Sequence, residues 1–453
     1  MPVARMSEDS GHPGHRDRPR GADGLLTVLG NSRGEFQYTP LEDALLTLAR
    51  ALGPRSRREN VYVREGYGRV LAKDVLARDD SPRRDASHFD GFALISADTL
   101  GATGDSPTVL SLRRGPARLG VLPKASLRHG EAMKVLTGGF LPVGADAIVP
   151  LEDVAAKEGE ITLRRPVEKG EHVYRAGADV RKGERILQAG RTLMGQDLVL
   201  LASLRFEEFV AFKRPRVAIL PTGTELTADI GDRRSGRVVE SHSLLLERLV
   251  EGAGGSAATL PIVPDEKRAL SRALRGALKQ NEIVLTLAGS SVGEPDLVES
   301  AIRGFGMATT ALVHGLRVNR GRVMGFAVVG GMPLVILPGP IQGALNAFIV
   351  LGYPLIRFHL GMGWEQPPAV AATMGDDWDA TGKFRDFDQV VYLRLMKDPS
   401  GPGLLALPSS GETEKVSFLV SKNAYVLVSG ANPRLAKGDR IEARLLPGFS
   451  RLE

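Results

Sequence analysis

Arg214-Pro215-Arg216-Val217-Ala218-Ile219-Leu220-Pro221-Thr222-Gly223-Thr224-Glu225 is where the chain changes character. Residues 217–220 are apolar and partly β-branched, the composition of a strand buried on both faces. A Pro-Thr-Gly-Thr turn ends the run. A helix is expected from about Ser241, with Leu244, Leu245, Leu246, Leu249 and Val250 as its apolar residues and glycines 252, 254 and 255 at its end. The same succession occurs twice more. Residues 283–287 lead into Ala288-Gly289-Ser290-Ser291-Val292-Gly293 and a helix from about Pro295. Residues 334–337 lead into Pro338-Gly339-Pro340 and a helix through Phe358. Strand, small-residue loop and helix in repetition predict a doubly wound α/β domain over residues 213–362.

Either side of that domain the pattern differs. Residues 1–34 are rich in Gly, Arg, Asp, His and Pro and are expected to form a disordered tail, with His12 and His15 as unpaired tail residues rather than metal ligands. Thr39-Pro40-Leu41-Glu42 reads as a helix start with Thr39 as N-cap, and Leu41, Ala44, Leu45, Leu48 and Ala49 give one apolar face. Residues 86–176 alternate in the manner of strands and predict a β-rich domain. A helix is expected over residues 193–204. Residues 36–85 and 177–212 flank that β-rich stretch. Residues 366–453 return to short strands and turns, as in a small β-barrel.

Composition narrows the function classes. The chain has 453 residues, 43% hydrophobic and 25% charged, with a net charge of +6 and no cysteine. Three or four domains of roughly 100–150 residues suit that length. The charge is diffuse, and no basic run carries interleaved aromatics, which argues against nucleic acid. Without cysteine there is no disulfide, no thiolate metal site and no thiol nucleophile. Residues 348–356 are apolar but short and interrupted by Pro354, so no membrane span is expected. With no signal-peptide pattern at the N-terminus, the expected location is cytoplasmic.

Ligands of open parallel sheets bind beyond the carboxyl ends of the strands. The loops at Gly223, at Ser290, Ser291 and Gly293, and at Pro338 and Gly339 occupy that position. Free backbone N–H groups and the positive ends of helix dipoles there favour phosphate or carboxylate. Asp90, Asp179, Glu225, Glu282 and Asp296 lie beside turns. They can serve as caps and solvated surface. On spacing alone that is the better reading for any one of them; the alternative is Mg2+, which takes one or two carboxylates along with phosphate and water.

These residues also fall into ordered motifs. Ser87-His88-Phe89-Asp90-Gly91-Phe92-Ala93 resembles S-x-x-D-G-[YF]-A. Thr137-Gly138-Gly139, with Pro142 and Gly144-Ala145-Asp146-Ala147-Ile148-Val149, is similar to T-G-x-x-x-P-x-G-A-D-[AT]-V-V. Gly177-Ala178-Asp179-Val180 to Gly183 looks like G-x-D-[IV]-x-x-G. Pro215 through Leu226 resembles R-P-x-V-x-x-x-x-T-G-[DT]-E-L, and Ser291-Val292-Gly293 to Asp296 matches S-V-G-x-x-D. Together, from about residue 36 onward, they resemble the molybdopterin molybdenumtransferase family, of the MoeA and gephyrin E-domain type.

The resemblance implies four domains, with residues 36–85 and 177–212 as an elongated linking domain and residues 86–176 as a β-rich lid domain beside the α/β and barrel domains, and it implies a homodimer whose active site is shared between subunits. It implies molybdate and adenylylated molybdopterin as substrates, AMP as product and Mg2+ as the accompanying ion. Other molybdenum cofactor biosynthesis proteins and apo-molybdoenzymes are the implied partners. By motif position, Asp90, Thr137, Asp179, Glu225 and Asp296 are implied to be catalytic, and Glu225, Glu282 and Asp296 to meet the metal. Three loops depart from the family pattern. Lys-Pro-Gly-Lys-Pro is here Asn319-Arg320-Gly321-Arg322-Val323, Gly-Gly-Val-Ser is Ala288-Gly289-Ser290-Ser291, and Leu-Pro-Gly-Asn-Pro is Leu337-Pro338-Gly339-Pro340-Ile341. Arginine forks and lysine point charges are not interchangeable in an oxyanion site, so Arg317, Arg320 and Arg322 are expected to bind the anion in altered geometry. Three readings follow: an active molybdenumtransferase, a non-catalytic paralogue that binds or carries a molybdopterin species, or a partner-docking protein.

Overall fold

The computed structural model describes residues 27–29, 37–53, 56–113, 115, 119–121, 123, 126–289, 296–399, 401–409 and 416–447. The chain forms two compact units. One comprises the residues up to Arg55 with Arg214–Glu453, and the other is Ser56–Lys213.

The first unit is built on a seven-stranded sheet. Its strands run in the spatial order Thr27–Leu29, Thr309–His314, Gly325–Val329, Met332–Leu337, Ile283–Leu287, Arg216–Pro221, Ser256–Thr259. The three strands read from sequence are adjacent and parallel. Their residues are buried almost throughout, as expected of strands covered by helices on both faces. The sheet is mixed rather than wholly parallel, because Gly325–Val329 pairs antiparallel with both neighbours. A tight turn at Gly330 and Gly331, both at positive φ, makes that hairpin. From Arg216–Pro221 the chain winds first to Ser256–Thr259 on one side and then to Ile283–Leu287 on the other. The switch point therefore lies at the carboxyl ends of Arg216–Pro221 and Ile283–Leu287.

Three expectations are corrected here. Thr27–Leu29, within the expected tail, is an edge strand parallel to Thr309–His314. Its physical basis is the apolar run Leu25-Leu26-Thr27-Val28-Leu29. His12 and His15 lie outside the described residues. Thr39 does not cap helix Leu41–Leu52, whose N-cap is Pro40 with no side-chain cap bond. Thr39 instead forms a bridge with Leu316, taking a bond from Arg317 N–H and donating to Gly315 O. That ladder, together with the buried face of Leu41, Ala44, Leu48 and Leu52, packs the helix on Thr309–His314 and Gly325–Val329. Residues 37–53 thus belong with the α/β unit and not with a linking domain over 36–85.

The helix expected through Phe358 is a continuous helical run, Ile341–Ala347, Phe348–Gly352 and Tyr353–His359, whose middle segment is π-helical. Pro354 has no N–H, and its ring crowds the carbonyl one turn back; the wider π turn just before it relieves both. Contrary to the sequence reading, this run is long and apolar enough to cross a membrane, at 19 residues and a mean hydropathy of 1.3. Yet 94% of its apolar window is buried within the protein, as in a core helix. The remaining residues of the unit close a five-stranded barrel from Ala369–Met374, Leu404–Pro408, Gln389–Lys397, Ala424–Val428 and Arg440–Leu445.

The second unit has three cores among the described residues. Val61, Leu71, Leu187, Leu193, Leu201 and Phe209 form one beneath helix Gly195–Ser203. The other two lie against a six-stranded sheet ordered Ala147–Pro150, Gly91–Leu94, Glu131–Val135, Thr108–Leu112, Glu160–Leu163, Ala155–Lys157, one of them formed by Ala93, Leu127, Met133, Val135 and Ile148. Gly91 is paired on both sides, with Val135 and Pro150. A Cβ there would sit 2.2 Å from Val149 O, so only glycine lets that strand close on its neighbour.

Candidate functional site

In the first unit the loops after three parallel strands converge at the switch point. Thr222 Oγ1 donates to Asp265 Oδ1 at 3.2 Å, and Thr224 N–H donates to Asp265 Oδ2 at 3.1 Å. Asp265 N–H returns a bond to Thr224 Oγ1. This ring fixes the turn that carries Gly223. Ala288 and Gly289 both have positive φ, at 70° and 73°. For an alanine that conformation is uncommon and marks a backbone held by its surroundings. A Cβ on Gly289 would lie 2.7 Å from Thr222 Cγ2, and one on Gly339 would lie 3.2 Å from Ala288 Cβ. The three loops therefore touch. Between them lies a cavity of about 180 Å³ lined by Glu225, Glu240, His242, Ala288 and Gly339. Burial pushes the His242 ring below its ordinary pKa, opposed by the Glu240 charge and a bond to the Gly339 backbone. Ser290, Ser291 and Gly293 lie outside the described residues.

The expected metal ligands do not assemble. Glu225 is exposed beside Gly223. Glu282 stands at the amino end of Ile283–Leu287, the end away from the loops, and its carboxylate grips Arg216 through N, Nε and Nη2 at 2.9, 3.1 and 3.3 Å. A five-residue strand spans roughly 16 Å, which keeps Glu282 from sharing an ion with Glu225. Asp296 is drawn inward. Its Oδ1 caps helix Leu297–Arg303 by accepting from Glu299 N–H at 2.8 Å, and its Oδ2 faces His314 Nε2 at 3.2 Å. His314 Nδ1 lies 2.7 Å from Glu299 Oε2. Burial works against the His314 charge, but the bonds to Asp296 and Glu299 outweigh it and raise the ring to about 9. The bond from His314 holds Glu299 down at about 2. Asp296 is thus part of a buried ionic cluster. Among the described residues no group of three His, Asp or Glu side chains is placed to hold a metal ion.

The arginine loop is pinned to the barrel. Asn319 N–H donates to Asp388 O, and Asn319 Nδ2 donates to Gln389 Oε1 at 2.9 Å. Asn346 Nδ2 donates to Asn319 O at 3.2 Å, and Tyr392 Oη donates to Asn346 Oδ1 at 2.6 Å. The residue standing where the family has a lysine is the hub of a neutral amide network. The arginines divide. Arg317 donates to Asp386 Oδ2 at 2.8 Å and lies over Phe387, so its charge is matched within the protein. Arg322 lies 3.7 Å over the Phe384 ring. Arg320, at φ 52°, has no ion-pair or ring partner for its side chain among the described residues. It lines two cavities, one of about 620 Å³ shared with the barrel and one of about 250 Å³ beside Pro338 and Gly343. The expected three-arginine site therefore reduces to Arg320, with Arg322 beside it in the smaller cavity.

In the second unit, two residues from separate motifs meet. Thr137 N–H and Oγ1 both donate to Asp90 Oδ1, at 2.7 and 2.8 Å. These bonds, the backbone one foremost, hold the Asp90 carboxyl below its ordinary pKa. Asp90 is solvent-exposed, so its second oxygen is open to a ligand. The aromatic edge around it is built from Phe89 against His172 and His88 against Tyr174. Asp179 is exposed on a neighbouring turn and accepts from Ser81 Oγ at 3.3 Å. Asp265, Glu240, His242 and Gln342 were not singled out from sequence. Gln342 lies one residue past the Pro338-Gly339-Pro340-Ile341 motif; for the others the sequence carries no periodic or motif signal.

Two family models match the chain. The MoeA N-terminal region (domain I and II) matches residues 39–204, and a probable molybdopterin binding domain matches residues 218–357. A putative molybdopterin biosynthesis protein of Methanocaldococcus jannaschii is 30% identical over 308 residues, covering 66% of this chain and 74% of its own. A molybdopterin molybdenumtransferase of Staphylococcus aureus is 26% identical over 384 residues, covering 84% of this chain and 90% of its own. Among solved structures, a molybdopterin biosynthesis MoeA protein from Pyrococcus horikoshii superposes with a TM-score of 0.78 at 26% identity, covering 91% of this chain and 100% of that one.

Proposed function

Since the chain belongs to the MoeA family of molybdopterin-handling proteins, we propose that it is the transferase of molybdenum cofactor biosynthesis that inserts molybdate into adenylylated molybdopterin and releases AMP. The observation that carries this reading is the convergence of the loops at Gly223, Gly289 and Gly339 on one switch point, with Arg320, which has no ion-pair or ring partner among the described residues, on the cavities close by. Backbone amides at such loops suit the phosphates of an adenylylated pterin. Arg320, and Arg322 beside it, supply positive charge to an oxyanion and to the charge that develops as the phosphoanhydride is broken. Asp90, with Thr137 fixing one oxygen, presents a carboxylate that stays ionised at neutral pH. Such a group can orient a substrate hydroxyl or amine, or accept a proton. Asp179 stands as a further polar contact on the same unit. The family resemblance supports a homodimer in which Asp90 of one subunit serves the α/β unit of the other.

Glu225, Glu282 and Asp296 do not fit a shared Mg2+, so any ion accompanying the reaction is ascribed to the substrate's phosphates and water, with Glu225 as the nearby carboxylate. A cytoplasmic reaction, with delivery to apo-molybdoenzymes, completes the reading and suits the cysteine-free chain. The non-catalytic carrier reading has no comparable support from the relatives. The test is direct: pure protein is incubated with adenylylated molybdopterin, Mg2+ and molybdate. Molybdate-dependent AMP release is expected. Tight binding of the adenylylated pterin with no AMP release would instead make the protein a carrier.

A further inference from the structure

Gln342, second residue of helix Ile341–Ala347, is 6% exposed. A carboxamide carries two donor hydrogens and an acceptor oxygen, and buried ones normally find partners for them. Its neighbours do. Asn346 is bonded to the loop carbonyls and to Tyr392. Gln389 accepts from Asn319 and donates to the Phe384 and Phe387 carbonyls. Gln342 Oε1, by contrast, is buried with no hydrogen-bond partner among the described residues. Gln342 lines both cavities that flank Arg320. An unpaired buried acceptor destabilises the protein until something donates to it.

What donates can be narrowed by chemistry. Molybdate and the dianion of a phosphate monoester are acceptors only, so neither in either cavity would give Oε1 a donor. A ring edge that sets a donor beside an acceptor satisfies a carboxamide with two parallel bonds, as when glutamine reads a nucleobase edge. The larger cavity, at about 620 Å³, lies in the range of roughly 300–1,000 Å³ that small-molecule ligands occupy. Trp378 on its wall offers a ring face. The geometry points to Gln342 as the residue that recognises the heterocyclic ring of a pterin ligand, with the ring in the larger cavity and its anionic arm toward Arg320. This rests on the molybdopterin reading above and names the residue that would give it ring specificity.

Neopterin, a pterin without a phosphate, is titrated by its fluorescence into the full-length protein and into Gln342→Leu, with molybdate binding followed in parallel by calorimetry. Leucine keeps the volume and removes the unpaired oxygen, so an unchanged or higher Tm is expected. Neopterin affinity should fall about tenfold or more, while molybdate affinity stays within about twofold. Gln342→Met serves as a second volume-matched variant if the leucine protein folds poorly. Equal neopterin affinity in wild type and variants, or no neopterin binding to wild type, overturns the assignment. AMP release from adenylylated molybdopterin, measured on the same wild-type preparation, separates the two ideas. Turnover with Gln342-independent neopterin binding sinks this inference alone. Gln342-dependent neopterin binding without turnover sinks the transferase reading alone.

Discussion

Asp90 and Thr137 stand 47 residues apart in the chain and share one oxygen in space. An Asp90→Asn protein keeps Oδ1 as the acceptor for both Thr137 donors, so its fold and Tm should match wild type. It loses the charge. If the carboxylate acts on substrate, molybdate-dependent AMP release should fall by about a hundredfold; unchanged turnover would make Asp90 a turn residue only. This pair was legible because both residues sit in ordered motifs. Glu282 was not, since which end of a strand a residue occupies matters more than its proximity to a glycine loop, and Arg216 across the parallel register claims it. Asp265 was invisible for another reason: its partners Thr222 and Thr224 lie more than 40 residues away and no local pattern joins them.

Strands and helices were readable where burial and periodicity coincide. Arg216–Pro221, Ile283–Leu287 and three of the barrel strands, Gln389–Lys397, Ala424–Val428 and Arg440–Leu445, are apolar or alternating runs bounded by turns. Gly325–Val329 escaped because a fully buried antiparallel strand has the same composition as a parallel one, and two glycines suffice to turn the chain into it. Helix Leu297–Arg303 carries a feature no periodicity announces, the ion cluster linking it to strand Thr309–His314. His314 titrates near 9, above its ordinary 6.5, so its charge stabilises the fold fully below about pH 6.5 and the contribution is lost as pH rises through 9. Glu299 titrates near 2, below its ordinary 4.5, so its contribution is present above about pH 4.5 and is lost as pH falls through 2. The two shifts describe one shared interaction and are not additive. Urea unfolding should therefore show a plateau from about pH 4.5 to 6.5. Stability should then decline by about 3 kcal/mol toward pH 9. His314→Gln should be less stable on the plateau and flat across that alkaline window. A decline of equal size in the variant would assign the pH dependence to other groups.

At the scale of the molecule, Asp90 belongs to the unit formed by Ser56–Lys213 and Arg320 to the unit formed by the rest. The return near residue 214 was legible in the sequence as the change of pattern at Arg214-Pro215, but that residues 37–53 belong to the same unit was not, because nothing local ties Thr39 to Leu316 far along the chain. The proposed reaction makes a specific demand on this arrangement. Asp90→Asn removes a carboxylate from one unit, and Arg320→Ala removes a cation from the other. Each variant alone should release little AMP. If one subunit's Asp90 serves the other's Arg320 in a homodimer, a mixed dimer of the two variants has one site with both residues lost and one with both intact. Random exchange of equal amounts makes about half the dimers mixed, so activity should recover to about a quarter of wild type. If both residues instead act within one chain, every site in every dimer lacks one of them and mixing restores nothing. Unfolding and refolding the variants together, with separately refolded variants pooled afterwards as the control, distinguishes the two. Recovery only in the co-refolded sample would establish a site completed across subunits, whereas two equally inactive samples would confine catalysis to a single chain.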